Sequence, residues 1–139
     1  MGSALAVSPP QASLQSIRQP ETEAEANRWV ARFIATEVEP HGNKWEEAGF
    51  VPREVLRRMG NAGLLGLRFP LEYGGAGADS LTNLVFAEAL SQSTFGGFIV
   101  TVLVHTDMAG PHLVNAGNKP QLEKYLRGVI TGEATTAVG

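Results

Sequence analysis

The fold is decided by the stretch Phe69-Pro70-Leu71-Glu72-Tyr73-Gly74-Gly75-Ala76-Gly77-Ala78-Asp79, which has apolar patterns of helical period on both sides. Pro70 disfavours helical backbone at Phe69 and so ends any helix that approaches it. Gly74, Gly75 and Gly77 lack a Cβ atom and so adopt positive φ angles easily. They indicate a turn in which the backbone packs closely. Asp79 or Ser80 can cap the helix that follows. The stretch therefore predicts a tight loop between two helices.

A glycine-rich loop can also cradle a phosphate group. The phosphate-binding loop of nucleotide hydrolases needs Lys and then Ser or Thr after its last glycine, whereas Gly77 is followed by Ala78 and Asp79. The dinucleotide-binding pattern needs a strand before the glycines and a helix directly after them, and its spacing is not met. The sequence therefore predicts no cofactor-binding residues in this chain.

The composition is typical of a soluble protein. The chain has 139 residues, of which 43% are hydrophobic and 18% charged, with a net charge of −3 and no cysteine. This length fits one domain. A slightly acidic chain is a poor binder of nucleic acid, which needs clustered Lys and Arg. We expect no apolar run long enough to span a membrane and no secretory signal, and therefore a cytoplasmic protein without a membrane partner.

Outward from the loop, the spacing of apolar residues predicts an all-α bundle of about five helices. The predicted helices run from a capping box at Thr22 to Pro40, from Arg53 to Asn61, from Leu81 to Ser93, from Gly96 to Asn115 and from Asn118 to Gly132. Residues 1–20 are expected to be a flexible tail and residues 21–132 the helical domain. Residues 135–138 resemble the opening of a strand, so residues 133–139 are interpreted as the truncated start of a β domain.

The helix predicted from Gly96 needs a separate argument. The run Phe98–Val104 is rich in β-branched residues, which favour strands. A strand needs a partner, however, and no other convincing strand precedes the end of the chain. The apolar pattern also continues to Gly110 without a turn signal. We therefore expect one long buried helix that bends near Pro111.

Glu88 falls on the apolar stripe of its predicted helix. It shares that stripe with Leu81, Leu84 and Val85. A buried carboxylate must be paired or protonated. We therefore expect Glu88 to be a paired, structural residue, in preference to a catalytic base with a raised pKa.

A metal site at His105, Asp107 and His112 is disfavoured by their spacing. Residues two apart on a helix diverge by about 200°, and residues two turns apart are too distant for one ion without a third ligand. We expect no metal site, and a hydrogen-bonded, partly buried His105.

Several short motifs occur in an order that resembles one known family. They are Phe50-Val51-Pro52, Gly63-Leu64-Leu65-Gly66, Pro70-x-Glu72-Tyr73-Gly74-Gly75-x-Gly77, Glu88, Val104-His105, Gly117-Asn118-x-x-Gln121-x-x-Lys124-Tyr125-Leu126 and Gly132-Glu133. Together, over about residues 21–139, they resemble the N-terminal helical domain of the acyl-CoA dehydrogenases.

The resemblance implies an FAD-dependent oxidoreductase of fatty acid metabolism that forms a homodimer or homotetramer when full length. Such enzymes remove a proton from the α-carbon of an acyl-CoA thioester and pass a hydride from the β-carbon to the flavin. The usual base and the main FAD contacts lie in later domains, so the resemblance implies no catalytic residue here and an inactive chain on its own. Open alternatives are a flavin monooxygenase or acyl-CoA oxidase of the same fold, and a non-catalytic assembly module. The acyl group and the electron acceptor are not specified.

The resemblance also places one wall of the acyl pocket on the long helix. The residues implied are Thr101, Val104, His105 and Met108, which recur three or four apart and so share a helix face. The alternative is that the same residues only pack the core of the domain.

Overall fold

The computed structural model describes residues 20–139 and consists of helices joined by short loops. The helices are α1 (Glu23–Phe33, continued by a π-helical turn at Ile34–Val38), α2 (Gly42–Ala48), α3 (Arg53–Asn61), α4 (Ser80–Leu90), α5 (Gly96–Ala116) and α6 (Lys119–Thr131), with a 3-10 turn at Leu71–Tyr73. No strand occurs within residues 20–139. The predicted all-α fold is confirmed. The predicted tail lies, apart from Pro20, outside the described residues.

The helix count differs from the prediction by one short element. α2 covers only the seven residues Gly42–Ala48. A helix of two turns presents too few apolar residues to show a period, so the sequence pattern did not predict it. Helices α1, α4 and α6 begin at capping residues, because side-chain oxygens of Thr22, Asp79 and Asn118 accept hydrogen bonds from backbone N–H groups of the first turn.

The main core lies between α1, α3, α4 and α5. Eight of its members are at most 2% exposed: Val30, Met59, Leu64, Leu65, Phe86, Leu90, Phe98 and Val102. A smaller cluster forms where α6 meets the glycine-rich loop, and there Phe69 packs with Leu126, Val129 and Ile130. Burial of these side chains, at roughly 1.5–3 kcal/mol each, is the main stabilising contribution to the fold.

The glycine-rich loop folds back and pairs with itself. The N–H groups of Ala76, Gly77 and Ala78 donate to carbonyl groups of Gly66, Phe69 and Leu67, at 2.9, 2.9 and 2.8 Å. Gly75 lies so close to the preceding segment that a Cβ atom there would collide with the carbonyl group of Phe69. The loop is tight, as predicted, because only a residue without a side chain fits between its two limbs.

The long helix α5 contains a widened turn. Residues Val104–Ala109 are π-helical, and the N–H group of Gly110 donates to the carbonyl oxygen of His105, five residues earlier. The turn ends at Ala109, two residues before Pro111, which has no N–H group and whose ring conflicts with the carbonyl four residues earlier in an α-helix. At the place of the expected bend, the helix therefore accommodates the proline with a wider turn.

Two expectations about α5 are wrong. The helix is not buried all round, because Val100 and Met108 are 60% and 51% exposed. Its 21 residues are also long and apolar enough, by length and composition alone, to cross a membrane. Length and composition are weak evidence for that role. Within this domain its buried His105 and ion-paired Asp107 both have polar partners.

The segment after α6 packs against the long helix. Residues 135–139 have no regular secondary structure. Thr136 instead contacts α5, where its N–H group lies 3.2 Å from Nδ1 of His105 and its hydroxyl 3.2 Å from the carbonyl oxygen of the same residue. These contacts fasten the segment to the long helix.

Candidate functional site

One face of α5 is apolar and accessible. Val100 and Met108 are more than half exposed and Val104 is half-buried, at positions spaced by four residues. Residues at this spacing on a helix lie in a row. The opposite face holds Phe98, Val102 and His105, which are buried. Three of the four residues predicted from the resemblance, Thr101, Val104 and Met108, therefore lie on the accessible side of the helix or beside it.

Thr101 lies at the edge of this face and has no free hydroxyl proton. Its Oγ donates to the carbonyl oxygen of Gly97 at 2.7 Å, within the same helix. The half-buried side chain therefore has no proton free to donate to a ligand, and it can offer its methyl group to an apolar one.

Thr101 also lines a cavity of about 260 Å³ between α2 and α5. Its walls include four aromatic residues, Trp45, Phe50, Phe95 and Phe98. Glu46 closes one side, where its Oε1 accepts a hydrogen bond from the N–H group of Gly97 at 3.1 Å. This carboxylate satisfies an N–H group in the first turn of α5, so its role in the fold is that of a cap contributed by a distant residue.

His105 lies in the interior of the domain. Its side chain is fully buried, and Nε2 lies 2.8 Å from the carbonyl oxygen of Val129 on α6. A carbonyl only accepts, so Nε2 carries the proton, and Nδ1 is left to accept from Thr136 at 3.2 Å. Burial lowers the pKa of His105, while the Val129 carbonyl opposes that shift. The expected hydrogen-bonded histidine is confirmed, and its ring does not reach the accessible face.

Asp107 joins three parts of the chain. Its Oδ1 accepts from Arg68 at 2.8 Å and from Asn83 at 2.6 Å, and its Oδ2 accepts from Thr106 at 2.7 Å. No sequence pattern predicted this cluster, because Arg68 and Asn83 lie 39 and 24 residues from Asp107 along the chain. Both oxygens of this carboxylate are engaged by these donors, so its role in the fold is to join α5 to the segment around Arg68 and to α4.

The expectation that Glu88 is a buried, paired carboxylate is wrong. Glu88 is exposed, and in the part of the chain that the structure describes it has no ion pair or side-chain hydrogen bond. Its stripe faces outward, since Leu81 and Leu84 are 55% and 63% exposed. The buried face of α4 is the one that carries Phe86, Ala89 and Leu90. On a helix that is apolar on most sides, composition did not distinguish the buried face.

The glycine-rich loop offers no cradle for the phosphates of a nucleotide cofactor. Every N–H group from Gly74 to Ala78 donates to a carbonyl group within the loop or just before it. A phosphate site needs several free N–H groups that converge on one point. This loop therefore does not fit the phosphate groups of FAD. Within residues 20–139, no group of three or more His, Asp or Glu side chains is arranged to hold a metal ion.

Comparison with known proteins decides what kind of domain this is. The family model described as "Acyl-CoA dehydrogenase, N-terminal domain" matches residues 20–133. The chain belongs to the acyl-CoA dehydrogenase family. The accessible face of α5 is thus a surface of the N-terminal domain of that family.

The relatives include enzymes from animals and bacteria. The mitochondrial long-chain specific acyl-CoA dehydrogenase of Mus musculus is 38% identical over 111 residues, which are 78% of this chain and 25% of that protein. The 3-(aryl)acrylate reductase of Clostridium sporogenes is 33% identical over 114 residues, which are 81% of this chain and 30% of that protein. The chain therefore spans between a quarter and a third of the length of these relatives.

A solved structure shows the same fold. The acyl-CoA dehydrogenase of Bacillus anthracis complexed with FAD superposes with a TM-score of 0.75 at 31% identity, over 88% of this chain and 22% of that one. FAD binding is thus documented in this family. The residues of the present chain add no evidence of their own for FAD.

Proposed function

We propose that this chain is the part of an FAD-dependent acyl-CoA dehydrogenase that supplies one wall of the acyl pocket. The observation that carries the proposal is the accessible apolar row on α5, Val100, Val104 and Met108, in a chain that belongs to this family. An alkyl chain needs an apolar surface from which water is excluded. Thr101 lies beside the row and adds a methyl group. His105 is buried on the opposite face of α5, where it connects the helix to α6.

The chain's own residues bind and orient the substrate in this proposal. The apolar row removes alkyl carbons from water at about 0.8 kcal/mol per CH₂ group and directs the chain along the helix. Bound FAD would supply the hydride acceptor. The proposed base and flavin contacts lie in the rest of the protein, because the carboxylates described above, Glu46, Glu88 and Asp107, are a helix cap, an exposed residue and a paired anion. The isolated 139-residue chain should accordingly neither retain flavin nor oxidise an acyl-CoA.

A bulkier residue at Val104 tests the wall. In the full-length protein, Val104→Phe should shorten the acyl chains that are accepted, because the ring would occupy space along the row. The measurement is kcat/KM across acyl-CoA chain lengths. One methylene group in an apolar pocket changes specificity by roughly 10-fold or more, so the shift is measurable. Val85→Phe is the matched control, since it enlarges another half-buried valine, on α4.

The direction of the reaction needs its own assay. The relative named as a 3-(aryl)acrylate reductase is 33% identical, so reduction of an unsaturated acyl group is a second candidate function. Full-length protein should be assayed for oxidation of saturated acyl-CoA with a dye acceptor, and for reduction of the unsaturated product. Production of hydrogen peroxide in the first assay would indicate an oxidase. Absence of flavin and of both activities would indicate an assembly module.

The remaining features of the protein are proposed on the same basis. We propose residues 21–132 as the helical domain and residues 133–139 as the beginning of the next. We propose that the present protein is cytoplasmic, although its acyl-CoA dehydrogenase relatives include a mitochondrial enzyme. We also propose that it forms a homodimer or homotetramer. Size-exclusion chromatography with light scattering of the full-length protein measures the oligomeric state.

A further inference from the structure

Two adjacent residues contact the widened turn of α5: Arg68, directly before the glycine-rich loop, and Phe69, the first residue of the loop. Arg68 pairs with Asp107 in the middle of the turn, at 2.8 Å. Phe69 packs beneath the end of the turn, where a Cβ atom on Gly110 would lie 2.6 Å from its Cζ atom. The two residues therefore contact the turn at two points, which are three residues apart on the helix.

The loop is well suited to fix the position of the turn. Hydrogen bonds from Ala76, Gly77 and Ala78 to the segment 66–69 tie its two limbs together around Arg68. Asn83 on α4 donates to the same carboxylate oxygen at 2.6 Å and provides a second, independent anchor. Asp107 is thus linked both to the loop and to the neighbouring helix.

A π-helical turn is a rare conformation that outside contacts can stabilise. Its hydrogen bonds span five residues, and it is found mostly as a single turn inserted in an α-helix, frequently at functional sites. Val104 begins the turn and Met108 lies near its end, so the geometry of the turn sets the distance and angle between these two members of the proposed pocket wall. Any change in the turn would therefore reshape the wall.

We infer that Asp107, together with Arg68 and Asn83, is a positioning residue that holds the widened turn and thereby sets the shape of the acyl-pocket wall at Val104 and Met108. Asp107 acts through the backbone of the turn and does not contact the substrate. This inference rests on the proposed function for its effect on substrates, but the clamp on the turn can be measured without any substrate.

Another ion pair in the same domain provides a matched control. Glu37 lies in the π-helical turn that continues α1, and it pairs with Arg58 at 2.8 Å, the same length as the Arg68–Asp107 pair. Neither Glu37 nor Arg58 lies on α5. If the Asp107 cluster only adds stability, Asp107→Ala and Glu37→Ala should change the same properties.

The experiment uses full-length flavoprotein carrying Asp107→Ala, Asp107→Asn, Arg68→Ala or Glu37→Ala. We expect Asp107→Ala to speed amide hydrogen exchange at residues 104–110 at least tenfold. We also expect it to change the ratio of kcat/KM between long and short acyl-CoA substrates by roughly tenfold, mainly through KM. Arg68→Ala should change both quantities in the same direction. The double variant Arg68→Ala/Asp107→Ala should show effects little larger than those of either single variant. Asp107→Asn, which keeps an oxygen acceptor, should restore part of the profile.

The outcomes separate this inference from the proposed function. If amide hydrogen exchange at residues 104–110 is unchanged in Asp107→Ala, Asp107 does not hold the widened turn. Faster exchange with an unchanged chain-length profile overturns its role in the pocket wall, as does the same profile change in Glu37→Ala. A parent protein that turns over no acyl-CoA contradicts the proposed function, and the exchange measurement still decides whether Asp107 holds the turn.

Discussion

Nε2 of His105 donates a hydrogen bond to the carbonyl oxygen of Val129, over a distance of 2.8 Å in the interior of the domain. This bond connects the long helix α5 to α6. It also fixes the tautomer, so that Nδ1 accepts from the segment that follows α6. Both ring nitrogens therefore make these hydrogen bonds only while the imidazole is neutral, because a protonated Nδ1 cannot accept one.

The stability of the chain should fall as the pH drops below 6.5, the ordinary pKa of histidine. Burial lowers the pKa of His105, and the hydrogen bond to Val129 only partly opposes this shift. The unfolded chain therefore takes up its proton at a higher pH than the folded one. The contribution of the neutral ring is complete above pH 6.5 and is lost as the pH falls toward the pKa of the folded state. Urea unfolding between about pH 5 and pH 8 measures it.

Exposed His112 is the control for that experiment. His105→Gln should flatten the loss of stability at acidic pH, whereas His112→Gln should leave it unchanged. His105→Gln should also lower the free energy of unfolding at neutral pH by about 1–3 kcal/mol, because it disturbs buried hydrogen bonds. A parent-like pH profile in His105→Gln would exclude His105 as the source of the dependence.

Gly75→Ala should destabilise the domain by about 1–3 kcal/mol or more. A Cβ atom at this position collides with the backbone of Phe69, which cannot move without breaking the pairing inside the loop. Gly96→Ala is the control, because a Cβ atom at Gly96 has open space around it and alanine favours a helix. Thermal unfolding followed by circular dichroism compares the two. Equal melting temperatures of Gly75→Ala and Gly96→Ala would show that the loop can rearrange to accommodate a Cβ atom at position 75.

Glu88→Gln should leave the free energy of unfolding of the isolated chain within about 0.5 kcal/mol of the parent. Glu88 is exposed and has no ion pair within residues 20–139, so the substitution removes no buried charge. Asp107→Asn, which weakens a half-buried ion pair, should cost more. Urea titration measures both variants, and a large loss in Glu88→Gln would reveal a partner for this carboxylate.

The isolated chain should bind a hydrophobic dye. Leu71, Leu84 and Val100 are 74%, 63% and 60% exposed. Large apolar surfaces usually mark contacts with other parts of a protein. Leu84→Lys and Val100→Lys should each reduce the dye fluorescence, while Gln92→Lys adds the same charge at an exposed polar residue and should not. Dye fluorescence that stays the same in Leu84→Lys and Val100→Lys would show that these exposed residues do not bind the dye.

The local features of the fold could be predicted because their signals lie close together in sequence. Thr22, Asp79 and Asn118 cap their helices through N–H groups three residues away. The loop likewise depends on neighbouring glycines.

Features that depend on tertiary packing could not be predicted. α4 is apolar on most sides, so nothing in its sequence showed that Glu88 faces solvent. The cluster around Asp107 joins residues far apart in the chain, and the sequence did not show which polar groups meet. The family resemblance located the accessible face of α5 through Val104 and Met108, and it also included His105, whose ring points into the core.

The widened turn at Val104–Ala109 has a consequence for how the length of this helix can vary. A π-helical turn inside an α-helix corresponds to one additional residue that is absorbed locally. Deleting one residue from the turn should restore a regular helix and leave both flanking halves in their present rotation. Deletion anywhere else in Gly96–Ala116 would rotate one half by about 100° and turn its buried face toward water. Single-residue gaps among homologous chains should therefore be confined to this turn.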